Sequence, residues 1–248
     1  MRAPSPPEAL TVAGVLLLPV RCAATARLKG FEVLACERGT GASARAMHNE
    51  PTYCPASAHQ LAQVLSGDVA RLVAGHGLKL WIPLSIENMR RDAAACLLFE
   101  GLAATEMASN DITFELKASD ILANISSPNE AVLAALTWHD SRIAVSELSD
   151  FDSIEAALDA DMRISEVRLP ASGFRLRQSR SWLAEAVGCL HDRGLLASAL
   201  DVSDAKLCQE VIVAGFDLIQ GDLIGRPHSV EATVDQMVAA LPFGRTLL

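Results

Sequence analysis

Apolar and polar positions follow two rhythms along this chain, and the rhythms trade places repeatedly. In Gly30-Phe31-Glu32-Val33-Leu34-Ala35-Cys36 the period is two. That spacing places Phe31, Val33 and Ala35 on one face of a strand and Glu32, Leu34 and Cys36 on the other. An apolar run, Val12–Val20, precedes it as a first strand. Residues Glu37–Pro55 carry Gly39, Gly41, Pro51 and Pro55 and read as loop. The period then lengthens. Across His59–Gly75, Leu61, Val64, Leu65, Val69 and Leu72 recur at three- and four-residue spacing, as in an amphipathic helix.

Beyond this helix the two patterns keep alternating. Strands are expected at Lys79–Ser85, Asp111–Leu116, Arg142–Val145, Ser165–Leu169, Leu195–Leu200 and near Asp217–Gln220. Helices are expected at Arg91–Gly101, Glu130–Trp138, Ile154–Ala160, Ser181–Arg193, Ala205–Ala214 and Val230–Leu241. Ser203 or Asp204 would cap the helix that follows Asp201. Strands alternating with helices predict a parallel sheet, and about eight such units predict its closure. The expected fold is α/β, a (β/α)8 TIM-type barrel in a single domain over residues 11–248. Residues 1–10, with Pro4, Pro6 and Pro7, read as a flexible lead-in.

Composition narrows the function classes. The 248 residues suffice for one large barrel, and half of them are hydrophobic. A net charge of −9 argues against direct nucleic-acid binding, which needs a basic footprint. No basic amphipathic stretch offers itself to a membrane surface, and no segment after the first strand approaches the ~20 apolar residues of a span. Arg2, the apolar stretch from Ala9 to Val20 and then Cys22-Ala23-Ala24 have the outline of a secretory signal. The strand reading of Val12–Val20 is preferred, because a longer pattern, given below, runs through it. The six cysteines show no CxxC or Cys/His spacing and read as reduced, buried residues of a cytoplasmic protein. The six histidines show no ligand spacing either. Trp81, Trp138 and Trp182 are explained by packing.

Chemistry in such barrels sits at the C-terminal strand ends. Leu18-Pro19-Val20 followed by Gly30-Phe31-Glu32 opens a series of matches there. Ile82-Pro83-Leu84-Ser85, Ile112 to Ser119, Ile143 to Asp150 and Gln220-Gly221-Asp222-Leu223-Ile224-Gly225-Arg226-Pro227 continue it. Together, from about Val12 to Leu241, they resemble the EAL domain family, which hydrolyses cyclic di-GMP with two metal ions in a (β/α) barrel. By this resemblance Glu32 falls on a metal-binding Glu, Glu115 on a kept acid of the fourth strand and Glu147 on one of a pair of Asp. Arg168 stands for the family's Lys, and Gln220 opens its Gln-Gly motif.

Other matched positions depart from the family. Leu18 replaces a ligand-contacting Gln, Cys36 an Arg that looks to be a phosphate contact, and Pro83 a metal-binding Asn. Ala118 and Ser198 each replace a Glu, Ser146 and Pro170 each replace an Asp, and Asp201 is a shortened acid. Ser149 and Phe151 displace glycines of a loop that couples dimerisation to catalysis in the family. Two divalent ions a few Å apart need several carboxylates to hold them. The resemblance therefore implies a degenerate, catalytically inactive member. It is expected to be no enzyme, with no catalytic residue, cofactor or metal, and with Glu32, Glu115, Glu147, Arg168 and Gln220 as vestigial positions. It would act as a protein-binding regulator in bacterial cyclic di-GMP-linked signalling, controlling motility, biofilm or transcription. Its partner would be a regulatory protein, cyclic di-GMP would bind weakly or not at all, and a homodimer is compatible. The alternatives are a non-hydrolysing cyclic di-GMP receptor and, third, an active phosphodiesterase.

Overall fold

The computed structural model describes residues 15–35, 58–86, 92–124, 140–148, 164–171 and 180–240. Cys36, Arg38, Ser149, Phe151, the loop Glu37–Pro55, the lead-in and the helices expected at Glu130–Trp138 and Ile154–Ala160 lie outside the described residues.

The chain opens on a hairpin. Strand β1 (Val15–Cys22) pairs antiparallel with β2 (Leu28–Ala35), with Leu18 opposite Glu32 and a register shift between Val20 and Arg21. From β2 onward each strand pairs in parallel with the next: β3 (Lys79–Pro83), β4 (Ile112–Lys117), β5 (Arg142–Ser146), β6 (Ile164–Pro170), β7 (Leu196–Leu200) and β8 (Leu218–Ile219). Strand β8 then pairs antiparallel with β1 and closes the barrel, while β9 (His228–Ser229) pairs with the other end of β1.

The expected barrel is present, with one correction: its sheet is not wholly parallel, because β1 runs against both neighbours. Only Ala23–Arg27 separate β1 from β2. A parallel crossover needs a dozen residues or more, so this short connection can make only a hairpin. Strand β1 is described over Val15–Cys22, two residues past the expected end at Val20; the expected start at Val12 lies outside the described residues.

The long helix expected over His59–Gly75 is two helices, α1 (Ala58–Ser66) and α2 (Asp68–Gly75). Gly67 between them is extended, with φ −99° and ψ −172°, and glycine gives up more entropy than any other residue to stay helical. Helix α3 (Asp92–Ala104) packs on α1 where Gly101 meets Ala62. Helices α4 (Ala118–Asn124), α5 (Arg180–Asp192), α6 (Ala205–Val213) and α7 (Val230–Ala240) follow. Asp204 caps α6 by accepting a 2.9 Å hydrogen bond from the Leu207 amide. Among the described residues, no helix is long and apolar enough to cross a membrane.

Alternation along each strand now has a spatial meaning. Outward residues such as Phe31, Leu80, Ile82 and Phe114 pack under α1, α2 and α3, and Val167, Leu169 and Ala197 pack under α5 and α6. Inward residues of the same strands fill the barrel, where Val20, Trp81 and Leu218 form a small apolar floor. Above it, apolar Leu18 and Ala144 share the inward face with a set of polar side chains.

Gly30 sets the β2–β3 contact two residues below Glu32. A Cβ there would lie 1.9 Å from the Lys79 carbonyl oxygen, so the two strand backbones would have to part. Gly30→Ala is expected to cost about 2–3 kcal/mol of stability. A lowered urea midpoint at unchanged slope checks this.

Candidate functional site

Inward-facing positions on five strands bring one polar cluster together inside the barrel. Glu32 comes from β2, Glu115 from β4, Glu166 and Arg168 from β6, Ser198 from β7, and Gln220 from the residue after β8. Trp81 of β3 completes it. All are buried; Arg168 is only 1% exposed. Glu166 and Arg168 share a face because they are two residues apart on one strand.

The Arg168 guanidinium is the hub. Its Nη2 donates to Glu32 Oε2 at 3.0 Å and also to the Gln220 side-chain carbonyl, while Nη1 donates to Glu115 Oε2. The Gln220 amide nitrogen donates in turn to Glu32. Gly221 makes this reach possible. Its φ is +143°, and a Cβ there would sit 2.3 Å from the Val202 amide nitrogen, so only glycine lets the chain pass that close beside Gln220.

Below the hub lies a second carboxylate site. Glu166 Oε2 accepts from Trp81 Nε1 at 2.8 Å, and Oε1 accepts from Ser198 Oγ at 2.6 Å. Arg168 Nε is 3.7 Å from Glu166 Oε1, beyond hydrogen-bond reach. Nε and Ser146 Oγ are buried polar atoms with no hydrogen-bond partner among the described residues. Burial pushes the Glu166 carboxyl above its usual range, against the hydrogen bonds from Ser198 and Trp81, and the nearby Glu32 adds to the rise.

Of the positions singled out in the sequence, Glu32, Glu115, Arg168 and Gln220 meet in this cluster. Glu147 stands apart. It follows the end of β5 with φ at +55°, which breaks the strand's alternation, and its carboxylate pairs with Lys117 Nζ at 2.7 Å near the surface. Leu18 and Pro83 are buried, and Leu18 sits directly across from Glu32. Ser198 serves Glu166. Glu166 itself went unnoticed in the sequence, although it is an acid two positions before Arg168 in an apolar strand, the same signal that marked Glu32. Trp81 is a packing residue that is also a donor. His76 and His191 are exposed, and His191 Nε2 lies 3.0 Å from Asp217 Oδ2.

No protein-family model matches this sequence, and no curated protein sequence does. Solved structures do match. An EAL enzyme, Bd1971, in its form bound to cAMP and cyclic di-GMP, is similar over 90% of this chain with a TM-score of 0.70 at 11% identity. The match covers 64% of that chain, so the present chain spans just under two thirds of its length. PaMucR phosphodiesterase in complex with cyclic di-GMP matches over 88% of this chain and 93% of its own, with a TM-score of 0.69 at 13% identity. The Xanthomonas citri FimX EAL domain in complex with cyclic di-GMP matches over 87% and 88%, with a TM-score of 0.66 at 18% identity. The fold is that of an EAL domain.

These likenesses correct the expectation that the chain is no enzyme. Structures sharing its fold are named as an EAL enzyme and a phosphodiesterase, so the fold points to an enzyme family. That expectation counted lost oxygen ligands position by position, and the count left out the interior carboxylate Glu166.

The resemblance also implies divalent metal. The residues present do not fit a metal centre in this arrangement. The facing oxygens of Glu32 and Glu115 accept hydrogen bonds from Arg168. Among the described residues, no group of three or more His, Cys, Asp or Glu is placed to hold an ion.

Glu166 makes the cluster sensitive to pH with a defined sign. Its folded carboxyl binds a proton more tightly than the unfolded one, so the native state holds more protons through that window. Stability is then full below the ordinary glutamate range, about pH 4, and falls as pH rises through the raised value. Glu166→Gln is expected to remove this component. Urea melts of both proteins across the acid-to-neutral range should show the wild type losing ground to the variant as pH rises.

Proposed function

We propose that this chain is a protein-binding regulator in cyclic di-GMP-linked signalling. Residues 11–248 act as one EAL-type domain behind a short lead-in, in the reducing cytoplasm. Free thiols at Cys22, Cys96, Cys189 and Cys208 accord with that compartment. The link to cyclic di-GMP comes from the fold it shares with domains whose structures hold that dinucleotide.

One observation carries the docking half of the proposal: the terminal nitrogens of Arg168 and the carboxylates of Glu32 and Glu115 inside the barrel are already engaged with one another. Arg168 donates to Glu32, Glu115 and Gln220, and Leu18 stands opposite Glu32 on the neighbouring strand. A bound phosphate needs free donors, and charge-assisted ones above all. With these groups occupied, the outer surface is left as the working face. The net charge of −9 suits a basic partner, because complementary charge speeds encounter. Exposed acids such as Glu185 and Asp192 on α5 are available for that contact.

The second reading, a cyclic di-GMP receptor, draws on structures of the same fold that hold that dinucleotide. Calorimetric titration with cyclic di-GMP and magnesium separates the two. Little or no binding is expected. Low-micromolar binding that is lost in Gln220→Ala, with the fold intact, would make the chain a receptor. With a partner in hand, charge reversals at Glu185 and Asp192 are expected to slow association, and added salt to slow it further in the wild type. Indifference to those reversals, with binding lost in Glu32→Ala, would return the function to the barrel interior.

A further inference from the structure

The N-terminal mouth of the barrel gathers positive charge in a chain whose net charge is −9. Lys79 opens β3 two residues before Trp81, on the same inward face. Arg142 opens β5 and shares its inward face with Ala144 and Ser146, because Ile143 and Val145 pack outward. Strand β4 runs between these two, and its buried Thr113 pairs in register with both Trp81 and Arg142. Side chains of alternate strands share one interior layer in a closed barrel, so Lys79 and Arg142 converge on the same mouth. Both are half-buried there. Lys79 Nζ donates to the Asn110 carbonyl oxygen at 3.3 Å. Lys29, exposed on β2, directly precedes Gly30, which pairs with Lys79.

We propose that this mouth is a phosphate-binding site, in which Lys79 and Arg142 hold the phosphate group and Lys29 adds charge at the rim. Among the described residues, none of the three cations is in an ion pair. Partial burial, and then the repulsion of Arg142, hold Lys79 below the ordinary lysine range, and Lys29 adds to the fall. Asp111 and the buried Glu166 pull the other way. A phosphate dianion would offset two of the three positive charges, where a carboxylate would offset one. Arginine's planar fork matches two phosphate oxygens, and a lysine ammonium serves as a point charge beside them. The ligand chemistry is a phosphate group, either the free ion or the head of a small monoester. Lys79 and Arg142 stand at the N-terminal strand ends, whereas Arg168 and Gln220 lie toward the C-terminal ends. The inference is therefore separate from the interior cluster, and the docking reading can fail without touching it.

The test titrates inorganic phosphate and phenyl phosphate calorimetrically into the full-length chain, at constant ionic strength set with chloride. The wild type is expected to bind a single equivalent. Tighter binding of inorganic phosphate marks a site for the free ion, and tighter binding of phenyl phosphate marks a site for a monoester. Lys79→Gln and Arg142→Gln are each expected to weaken binding about tenfold or more. Arg142→Lys, which keeps the charge but loses the fork, should fall between the wild type and Arg142→Gln. Lys206→Gln removes an exposed cation on α6 and should change nothing. Lys79→Gln and Arg142→Gln each relieve like-charge repulsion, so both are expected to melt no lower than the wild type in chloride. Phosphate should then raise the wild-type melting temperature more than that of either variant. No binding of either probe by the wild type, unchanged affinity in Lys79→Gln and Arg142→Gln, or an equal loss in Lys206→Gln would each overturn the proposal.

Discussion

Charge compensation inside the barrel is the constraint on which the rest of this structure depends. Glu32, Glu115 and Glu166 are withdrawn from water within one ring of strands, and Arg168 is the cation among them. Removing one partner of a buried ion pair typically costs about 3–5 kcal/mol, because the remaining charge has nothing to face. Arg168 resolves the upper part of the problem by hydrogen bonding to Glu32 and Glu115 together. Glu166 resolves the lower part differently, with two neutral donors, Trp81 and Ser198, and a raised proton affinity. Two solutions to the same electrostatic problem thus lie two residues apart on β6.

The barrel geometry makes both solutions available. Strand β6 sends Val167 and Leu169 outward to the helices and Glu166 and Arg168 inward. Neighbouring strands hold their partners at fixed register: Arg168 pairs with Ser198, and Pro83 with Glu115. Gly221 lets the chain pass close against Val202, so that Gln220 meets both Arg168 and Glu32. Apart from Gln220, which follows the end of β8, the cluster is therefore built on regular strands, and its geometry follows from the fold that this chain shares with EAL structures.

Much of this was legible in the sequence because barrels rest on simple periodicities. The inward direction of Glu32 followed from strict alternation, and the strand positions from short apolar runs bounded by helices. The antiparallel β1 was not read, although the five-residue connection required it; helix–strand alternation farther on dominated the inference. Gly67 was absorbed into a helix because the apolar spacing continues through it, and backbone entropy decided otherwise. Glu166 escaped because it stands at no position that the family resemblance matches, whereas burial acts on every inward residue alike. Glu147 looked equivalent to an interior acid in one dimension, but a left-handed φ just past the strand end turned it outward. The conclusion about enzymatic activity failed for a related reason. It weighed individual replacements, while the similarity that emerged lies in the whole fold at 11–18% identity.

The way the first strand joins the last carries a consequence for how the ring forms and opens. Strand β1 pairs along nearly its whole length with β2, a neighbour in sequence, but meets β8 through only Arg21–Ile219 and Cys22–Leu218. It meets β9 through Leu16–Ser229 and Leu17–His228. A local hairpin forms in microseconds, whereas a pairing that spans almost two hundred residues must wait until the intervening chain is ordered. Loop-closure entropy makes this long-range joint expected to be among the last parts of the ring to gain their hydrogen bonds. Amide exchange on the β8 side of β1 would then report breathing of the ring, while the hairpin side stays protected.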